Sequence, residues 1–196
     1  MTEQELIRAA QRGSERAFEE IVQRYEKQVY HLALRMCGRE EDAWEVYQEA
    51  FLSAWRGLGS FRGDAALSTW LYRLTSNAAI DYLRRQNRQR ALEGTSLDDE
   101  EAPEPADTAP SPAQAAEQGE LREQIQAGLM ALSASQRQVL LLRELQGLTY
   151  EEISRALALD LGTVKSRIAR GRENLRKFLL ATGNFSDRLP SNRGRR

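Results

Sequence analysis

Apolar residues recur every three or four positions through the first 90 or so residues, which is the period of an amphipathic helix. Residues 2–11 predict a first short helix, and Ser14 is placed to cap a second helix that runs to about Cys37. Residues 41–58 and 68–89 continue the same period. Because no alternating strand pattern of any length occurs, we predict an all-α domain of four helices.

The helical period is interrupted over residues 94–119. This stretch holds four of the five prolines of the chain, mixed with Asp, Glu, Ala, Ser and Thr, and it contains no Lys or Arg. Such a composition buries too little apolar surface to offset the entropy lost on ordering, so we expect a flexible, acidic, Pro-rich linker. The linker is either a solubilising tether or a mimic of nucleic acid that occupies a basic channel.

Helical periodicity resumes at residues 120–132. Ser133 with Gln136 fits a capping box at the start of the next helix, and Thr149 with Glu152 fits a second box. The last residues, 183–196, are a basic tail that we expect to be disordered.

Residues 148–177 predict two short helices around a tight turn, the second of them strongly basic. Asp160 is placed to cap the second helix. In that helix Val164, Ile168 and Leu175 form one apolar stripe, and the cations point elsewhere. This is the helix-turn-helix pattern, in which the second helix enters the major groove of DNA. The alternative is a helix pair whose basic side is only solvated.

The net charge of the 196 residues is −1, which argues against a uniformly basic nucleic-acid binder. The charge is segregated, however, because arginine clusters flank the acidic linker. Cys37 is the only cysteine, so no internal disulfide forms and a reducing compartment is expected. Cys37 and the only histidine, His31, fall within helical patterns, and we expect both to be packed rather than reactive.

Several classes of protein lack support in this sequence. There is no Gly-rich phosphate loop and no metal-ligand cluster, so we expect no catalytic residues, no metal, no cofactor and no small-molecule substrate. No run of about 20 apolar residues is present, and the polar start is not a signal peptide. We therefore expect a cytoplasmic protein without membrane insertion.

The two blocks together resemble an extracytoplasmic-function (ECF) sigma factor of bacterial RNA polymerase. The residues that carry the resemblance are YQEAFLSAWRGLGSFRGDAALSTWLYRLTSNAAIDYLRR in the first block and LTYEEISRALALDLGTVKSRIARGRENLRKFL in the second. The resemblance implies that residues 1–93 are similar to sigma domain 2 and residues 120–182 to sigma domain 4. The expected partners are core RNA polymerase, promoter DNA and an anti-sigma factor. The alternative is a free-standing helix-turn-helix regulator.

By this resemblance the first domain docks on the polymerase clamp. The implied docking residues lie at spacings of three and four along one helix: Glu45, Gln48, Glu49 and Leu52. The family usually carries acids ahead of an Asp-Leu-Val-Gln-Glu run here, whereas this chain has Trp44-Glu45-Val46-Tyr47. Trp44 is either an additional anchor or a core residue.

The first domain is also expected to melt and read the −10 promoter element. The implied residues are Phe61, Arg73, Asn77, Asp81, Arg84, Arg85 and Arg88. Phe61 resembles the residue that forms a pocket for a flipped base, and its glycine-flanked loop predicts an exposed ring. Asn77 offers both a donor and an acceptor to a base edge. We expect Trp70 to be a core residue.

The second domain is expected to read the −35 element as intact duplex. The implied base-contacting residues are Lys165, Ser166, Ala169 and Arg170, and the implied phosphate-contacting residues are Thr163, Arg167 and Arg172.

Overall fold

The computed structural model describes residues 1–92 and 112–182. Within these ranges the chain contains no strand, which agrees with the predicted all-α class. A 3-10 turn lies at Leu58–Ser60. The helices are α1 Glu3–Gln11, α2 Glu15–Cys37, α3 Glu40–Gly57, α4 Leu67–Leu92, α5 Pro112–Met130, α6 Ala134–Glu144, α7 Tyr150–Leu157 and α8 Leu161–Ala181.

The end of the predicted linker differs from the structure. Helix α5 begins at Pro112, so the last residues of the 94–119 stretch are helical and the predicted start at Glu120 is too late. Residues 93–111 and the tail 183–196 lie outside the described residues, so the expected disorder of linker and tail stays a prediction.

The predicted caps differ in outcome. Thr149 and Glu152 form the full box: the Thr149 hydroxyl accepts from the Glu152 amide at 3.1 Å, and the Glu152 carboxylate accepts from the Thr149 amide at 2.7 Å. The backbone hydrogen bond from Thr149, with that from its side chain, lowers the pKa of Glu152. Ser133 accepts from the Gln136 amide at 3.4 Å, but the Gln136 side chain accepts from Asn174 instead, so this box is half formed.

The predicted Asp160 cap is wrong. Asp160 occupies the position before α8, but its side chain makes no hydrogen bond to the helix. The turn between α7 and α8 is stabilised instead from α7, where the Ser154 hydroxyl donates to the Leu159 carbonyl at 2.5 Å. Ala158, in this turn, has φ 51°, in the left-handed region that an alanine rarely adopts.

We call α1–α4 the N-terminal unit and α5–α8 the C-terminal unit. One buried cluster lies within the N-terminal unit, around residues such as Leu6, Ile21 and Leu71. A second cluster continues from α2, α3 and α4 into α6, α7 and α8. Its members include Met36, Val46, Ala79, Val139, Leu142, Ile153 and Ile168. The two helical units therefore pack against each other along a shared apolar interface.

Candidate nucleic-acid and docking interfaces

Helix α8 presents one apolar and one polar face. Val164 and Ile168 are buried, as the sequence predicts, and Leu175 is half-buried. Gly171 lies against α6, where a Cβ atom would come within 3.6 Å of the Gln136 carbonyl, so the two helices approach closely. This packing turns the four predicted base-contacting residues to solvent: Lys165, Ser166, Ala169 and Arg170.

The three residues of α8 that are predicted to contact phosphate are less available to DNA than the four base-contacting residues. Thr163 and Arg167 are half-buried, and the Ser166 hydroxyl donates to the Thr163 carbonyl at 3.0 Å. Arg172 is exposed but pairs with Glu144 of α6, through a 2.9 Å bond from Nε and a second bond from Nη2. The Arg172 cation is thus partly neutralised within the C-terminal unit.

Helix α4 carries the predicted −10 residues in a stripe with steps of three and four positions. Arg73 is half-buried, and the others on this helix are exposed: Asn77, Asp81, Arg84, Arg85 and Arg88. Asp81 pairs with Arg84 at 3.5 Å in the solvent, where an ion pair contributes little to stability. The arginines at the C-terminal end of α4 therefore form an exposed basic surface.

Phe61 is half-buried, so the prediction of an exposed ring is wrong in part. Its ring centroid lies 5.1 Å from that of Trp70, which is itself half-buried rather than in the core. Gln11 of α1 holds the loop, since its side-chain nitrogen donates to the carbonyls of Leu58 at 3.1 Å and Phe61 at 2.9 Å. The two rings form a tilted aromatic pair at the start of α4.

The four predicted docking residues come together in the structure. Glu45, Gln48, Glu49 and Leu52 line one side of an open groove of about 310 Å³ between α3 and α4. Arg85 of α4 lines the same groove. The groove combines carboxylates with the exposed side chain of Leu52, a composition suited to an amphipathic helix with cations on its polar face.

Trp44 is 51% exposed and therefore not a core residue. Its ring packs edge-on against Tyr47, at 5.1 Å between centroids, and beside Tyr30 at 5.2 Å. Trp44 precedes Gln48 by four residues and Leu52 by eight, so it extends the same face by one helical turn. The spacing of four residues between Trp44, Gln48 and Leu52 was the signal in the sequence that Trp44 lies on this face.

The expectation for His31 is wrong and that for Cys37 is confirmed. His31 is exposed because it lies two positions after the buried Val29, about 200° around the helix. Cys37 is buried, and burial raises the pKa of its thiol to about 12. A thiol held in the protonated form is a poor nucleophile.

Sequence reasoning missed the polar groups between the two units. Gln138 and Arg137 of α6 are each 4% exposed. The Gln138 side-chain nitrogen lies 3.0 Å from the Ser76 hydroxyl and 3.0 Å from the Asn77 side-chain oxygen. The Arg137 guanidinium donates to the Met36 carbonyl. The only signal in the sequence was two polar residues directly before the apolar run that starts at Val139.

Metal and membrane sites were searched among the described residues. In residues 1–92 and 119–182, no group of three or more His, Cys, Asp or Glu side chains is placed to hold a metal ion. Over the same residues, no helix has the length and apolar content needed to cross a bilayer.

Two helical units, one with an exposed basic helix of the helix-turn-helix type, define a DNA-binding protein. The chain matches the family Sigma-70 region 2 over residues 21–89 and the family Sigma-70, region 4 over residues 122–175. These two matches fall on the N-terminal and C-terminal units respectively.

Two curated relatives agree over most of the chain. The chain is 38% identical over 181 residues to the RNA polymerase sigma-H factor of Pseudomonas aeruginosa, covering 90% of this chain and 93% of the relative. It is 37% identical over 176 residues to the ECF RNA polymerase sigma-E factor of Escherichia coli K12, covering 88% and 92%. The fold is similar to that of the sigma factor RpoE of Bartonella quintana, solved in complex with the anti-sigma factor NepR. In that comparison the TM-score is 0.67 at 22% identity, over 85% of this chain and 98% of that one.

The chain therefore belongs to the ECF sigma factors of bacterial RNA polymerase. It is an alternative sigma factor, and this assignment is favoured over that of a free-standing helix-turn-helix regulator.

Proposed function

We propose that this sigma factor contacts core polymerase and its promoter through three surfaces. The groove between α3 and α4 docks on the polymerase clamp, the α4 stripe with Phe61 melts and reads the −10 element, and the exposed face of α8 reads the −35 element. The observation that carries the proposal is that side chains of three different chemistries are exposed on α3, α4 and α8.

The face of α8 has the chemistry needed to read intact duplex. Lys165 and Arg170 are exposed cations next to the short side chains of Ser166 and Ala169, so the helix backbone can approach the base edges. A good bidentate contact from Arg to guanine contributes about 1–3 kcal/mol of discrimination. Thr163, Arg167 and Arg172 contact phosphates; for Arg172 this requires exchange of its Glu144 partner.

The α4 stripe suits separated strands. Asn77 offers one donor and one acceptor group to an unpaired base edge, and Arg84, Arg85 and Arg88 supply phosphate contacts along the same helix. Phe61 supplies a ring face for an unstacked base, and its partner Trp70 supports the ring from behind.

The docking groove recruits the polymerase through complementary charge and one apolar contact. Glu45 and Glu49 attract a basic helix of the polymerase, and Leu52 and Gln48 contact the same helix. Trp44 is an additional anchor on the same face, since half of its surface is available to a partner.

We also propose an anti-sigma partner, as the family resemblance implies. The C-terminal unit offers such a partner an apolar groove of about 510 Å³, whose walls include Leu140, Leu141, Leu145, Leu175 and Leu179. Regulation by a protein partner fits a chain that acts in the cytoplasm as a binding subunit and performs no chemistry of its own.

The test is transcription by core polymerase supplied with this protein as its only sigma subunit. Mapping the 5′ ends of the transcripts should reveal start sites that share sequences near −10 and −35. Core polymerase alone is the control. Absence of promoter-dependent initiation, together with failure to co-purify with core polymerase, would leave only a free-standing DNA binder.

A further inference from the structure

We infer that helix α1 is part of the −10 reading site, because Gln11 at its end positions the loop that carries Phe61. The inference deepens the proposed function and rests on it. It gives a role in DNA recognition to a helix that precedes residues 21–89, the part of the chain that matches Sigma-70 region 2. Gln11 is a positioning residue, since it acts on DNA only through Phe61.

The hydrogen bonds from Gln11 close the turn that leads to Phe61. The Gln11 side-chain nitrogen donates to the Leu58 carbonyl at 3.1 Å and to the Phe61 carbonyl at 2.9 Å. A side-chain amide has two N–H donors, so both are used here. The Leu58 carbonyl also accepts from the Phe61 amide at 3.0 Å. One side chain of α1 thus bonds both ends of a four-residue turn that is about 50 positions away in the sequence.

These bonds set the direction of the backbone at Phe61. The residue follows the 3-10 turn with φ −69° and ψ 116°, an extended conformation. Because the orientation of a carbonyl group fixes ψ, the bond to the Phe61 carbonyl determines how the chain enters the exposed residues 62–66. The ring is held separately by Trp70, at 5.1 Å between centroids. Phe61 is therefore held at two points, by its ring on α4 and by its carbonyl on α1.

Helix α1 is a firm support for this contact. Its apolar face is buried in the N-terminal unit, where Leu6 is 0% and Ala10 is 5% exposed. Near its other end, the Tyr25 hydroxyl of α2 donates to the Glu3 carboxylate. Gln11, the last residue of α1, is thus held in place relative to α2 and can transmit that position to the loop.

A positioned loop favours the capture of an unpaired base. A ring on a mobile loop must be ordered when DNA binds, and that cost reduces the affinity. Gln11 is exposed, so its hydrogen bonds contribute only modestly to the stability of the whole fold. Loss of the bonds should therefore weaken binding of the unpaired −10 strand and leave α8 and the docking groove unaffected.

The first experiment removes the donors and keeps the shape of the side chain. Gln11→Met has a similar length and helix propensity but no N–H group. The full-length protein with core polymerase is titrated against a labelled single-stranded oligonucleotide that carries the −10 element. Affinity should fall about fivefold, the range for loss of two exposed hydrogen bonds. Gln4→Met is the matched control, since Gln4 is exposed on the same helix and should bind like the parent.

A double-mutant cycle separates positioning from general stabilisation. If Gln11 acts through the ring, Gln11→Met should lower the affinity less than about twofold further once Phe61→Leu has removed that ring. A residue that only stabilises the fold would cost the same factor with and without the ring. Affinity for an isolated −35 duplex should be unchanged in every variant.

Hydrogen exchange supplies a structural readout in the full-length protein. The Phe61 amide donates to the Leu58 carbonyl, so it reports whether the turn is closed. It should exchange faster in Gln11→Met than in the parent, while amides in the middle of α2 should exchange at the parental rate.

The two possible failures are distinguishable. If the parent binds the oligonucleotide and Gln11→Met binds it equally well, or if the cycle is additive, the inference is overturned and the proposed function stands. If the parent with core polymerase does not bind the −10 strand, the proposed function fails and the inference falls with it.

Discussion

The rings of Phe61 and Trp70 lie 5.1 Å apart between centroids, with a tilt of 46° between their planes. The contact positions Phe61 at the start of the loop before α4, so the loop residue proposed to receive an unstacked base rests on a second aromatic ring. Removing the aromatic face while keeping apolar volume should therefore affect strand capture more than folding.

We predict that Phe61→Leu lowers affinity for single-stranded −10 DNA by about 1–3 kcal/mol, the range for loss of one stacked base. The leucine should retain most of the packing on Trp70. Phe61→Tyr, which keeps a ring, is the control and should bind near the parental affinity. Equal binding by the leucine variant and the parent in a fluorescence anisotropy titration would contradict the stacking role.

Asn77→Ala should impair strand opening at the promoter and spare binding to an isolated −35 duplex. The alanine removes the donor and acceptor proposed to read a base, while α8 is unchanged. Permanganate footprinting of the holoenzyme measures the melted bases. Ser76→Ala is the control, since it loses one bond from Gln138 and no group proposed to touch DNA. Normal melting by the Asn77 variant would refute its role.

Arg170→Ala should weaken transcription from cognate promoters and leave affinity for core polymerase unchanged. We expect about 1–3 kcal/mol of lost discrimination at one base pair of the −35 element, measured by competition between duplexes. Arg176→Ala on the same helix is the comparison, because Arg176 pairs with Glu173 in solvent. If both variants lose affinity equally for every duplex, Arg170 contacts phosphate rather than a base.

Ala158→Gly should stabilise the C-terminal unit. Ala158 has φ 51°, and the left-handed conformation costs a residue with a Cβ atom roughly 1–2 kcal/mol relative to glycine. Ala156→Gly, inside α7, is the matched control and should destabilise by about 1 kcal/mol. Urea unfolding of the two variants gives the comparison, and a shift of the same sign in both would exclude relief of strain.

The stability of α7 should fall at acidic pH through Glu152. Hydrogen bonds from Thr149 lower the pKa of Glu152 below its usual 4.5, so the box stabilises the folded state above that pH. This contribution is lost as the pH falls through the lowered pKa, when the carboxylate is protonated. Glu152→Gln retains an acceptor for the Thr149 amide but does not titrate.

The urea midpoint of the parent should therefore drop more steeply below pH 4.5 than that of Glu152→Gln. Thr149→Ala should lower stability by about 1 kcal/mol at neutral pH, where the box is intact. Parallel pH profiles for the parent and the glutamine variant would show that Glu152 does not contribute through its charge.

Features that depend on neighbours in the sequence were predictable. Among the described residues, the helical period of apolar residues predicted the helices apart from the first part of α5, because burial of one face selects a 3.6-residue repeat. The Thr149–Glu152 capping box was predictable because its two partners are only three residues apart in the sequence. The resemblance supplied the proposed docking residues of α3 and the proposed base-contacting residues of α8, and their spacing places each set on one exposed face of its helix.

Features that depend on which helix packs on which were decided only by the tertiary structure. Phe61 packs on Trp70, Arg172 pairs with Glu144, and Gln138 reaches Asn77 across 61 positions. The sequence by itself determined the elements and the chemistry on each face, because those follow from local geometry. The packing of the N-terminal unit on the C-terminal unit depends on apolar residues from helices that are distant in the sequence. No local pattern encodes which distant face a buried glutamine will contact.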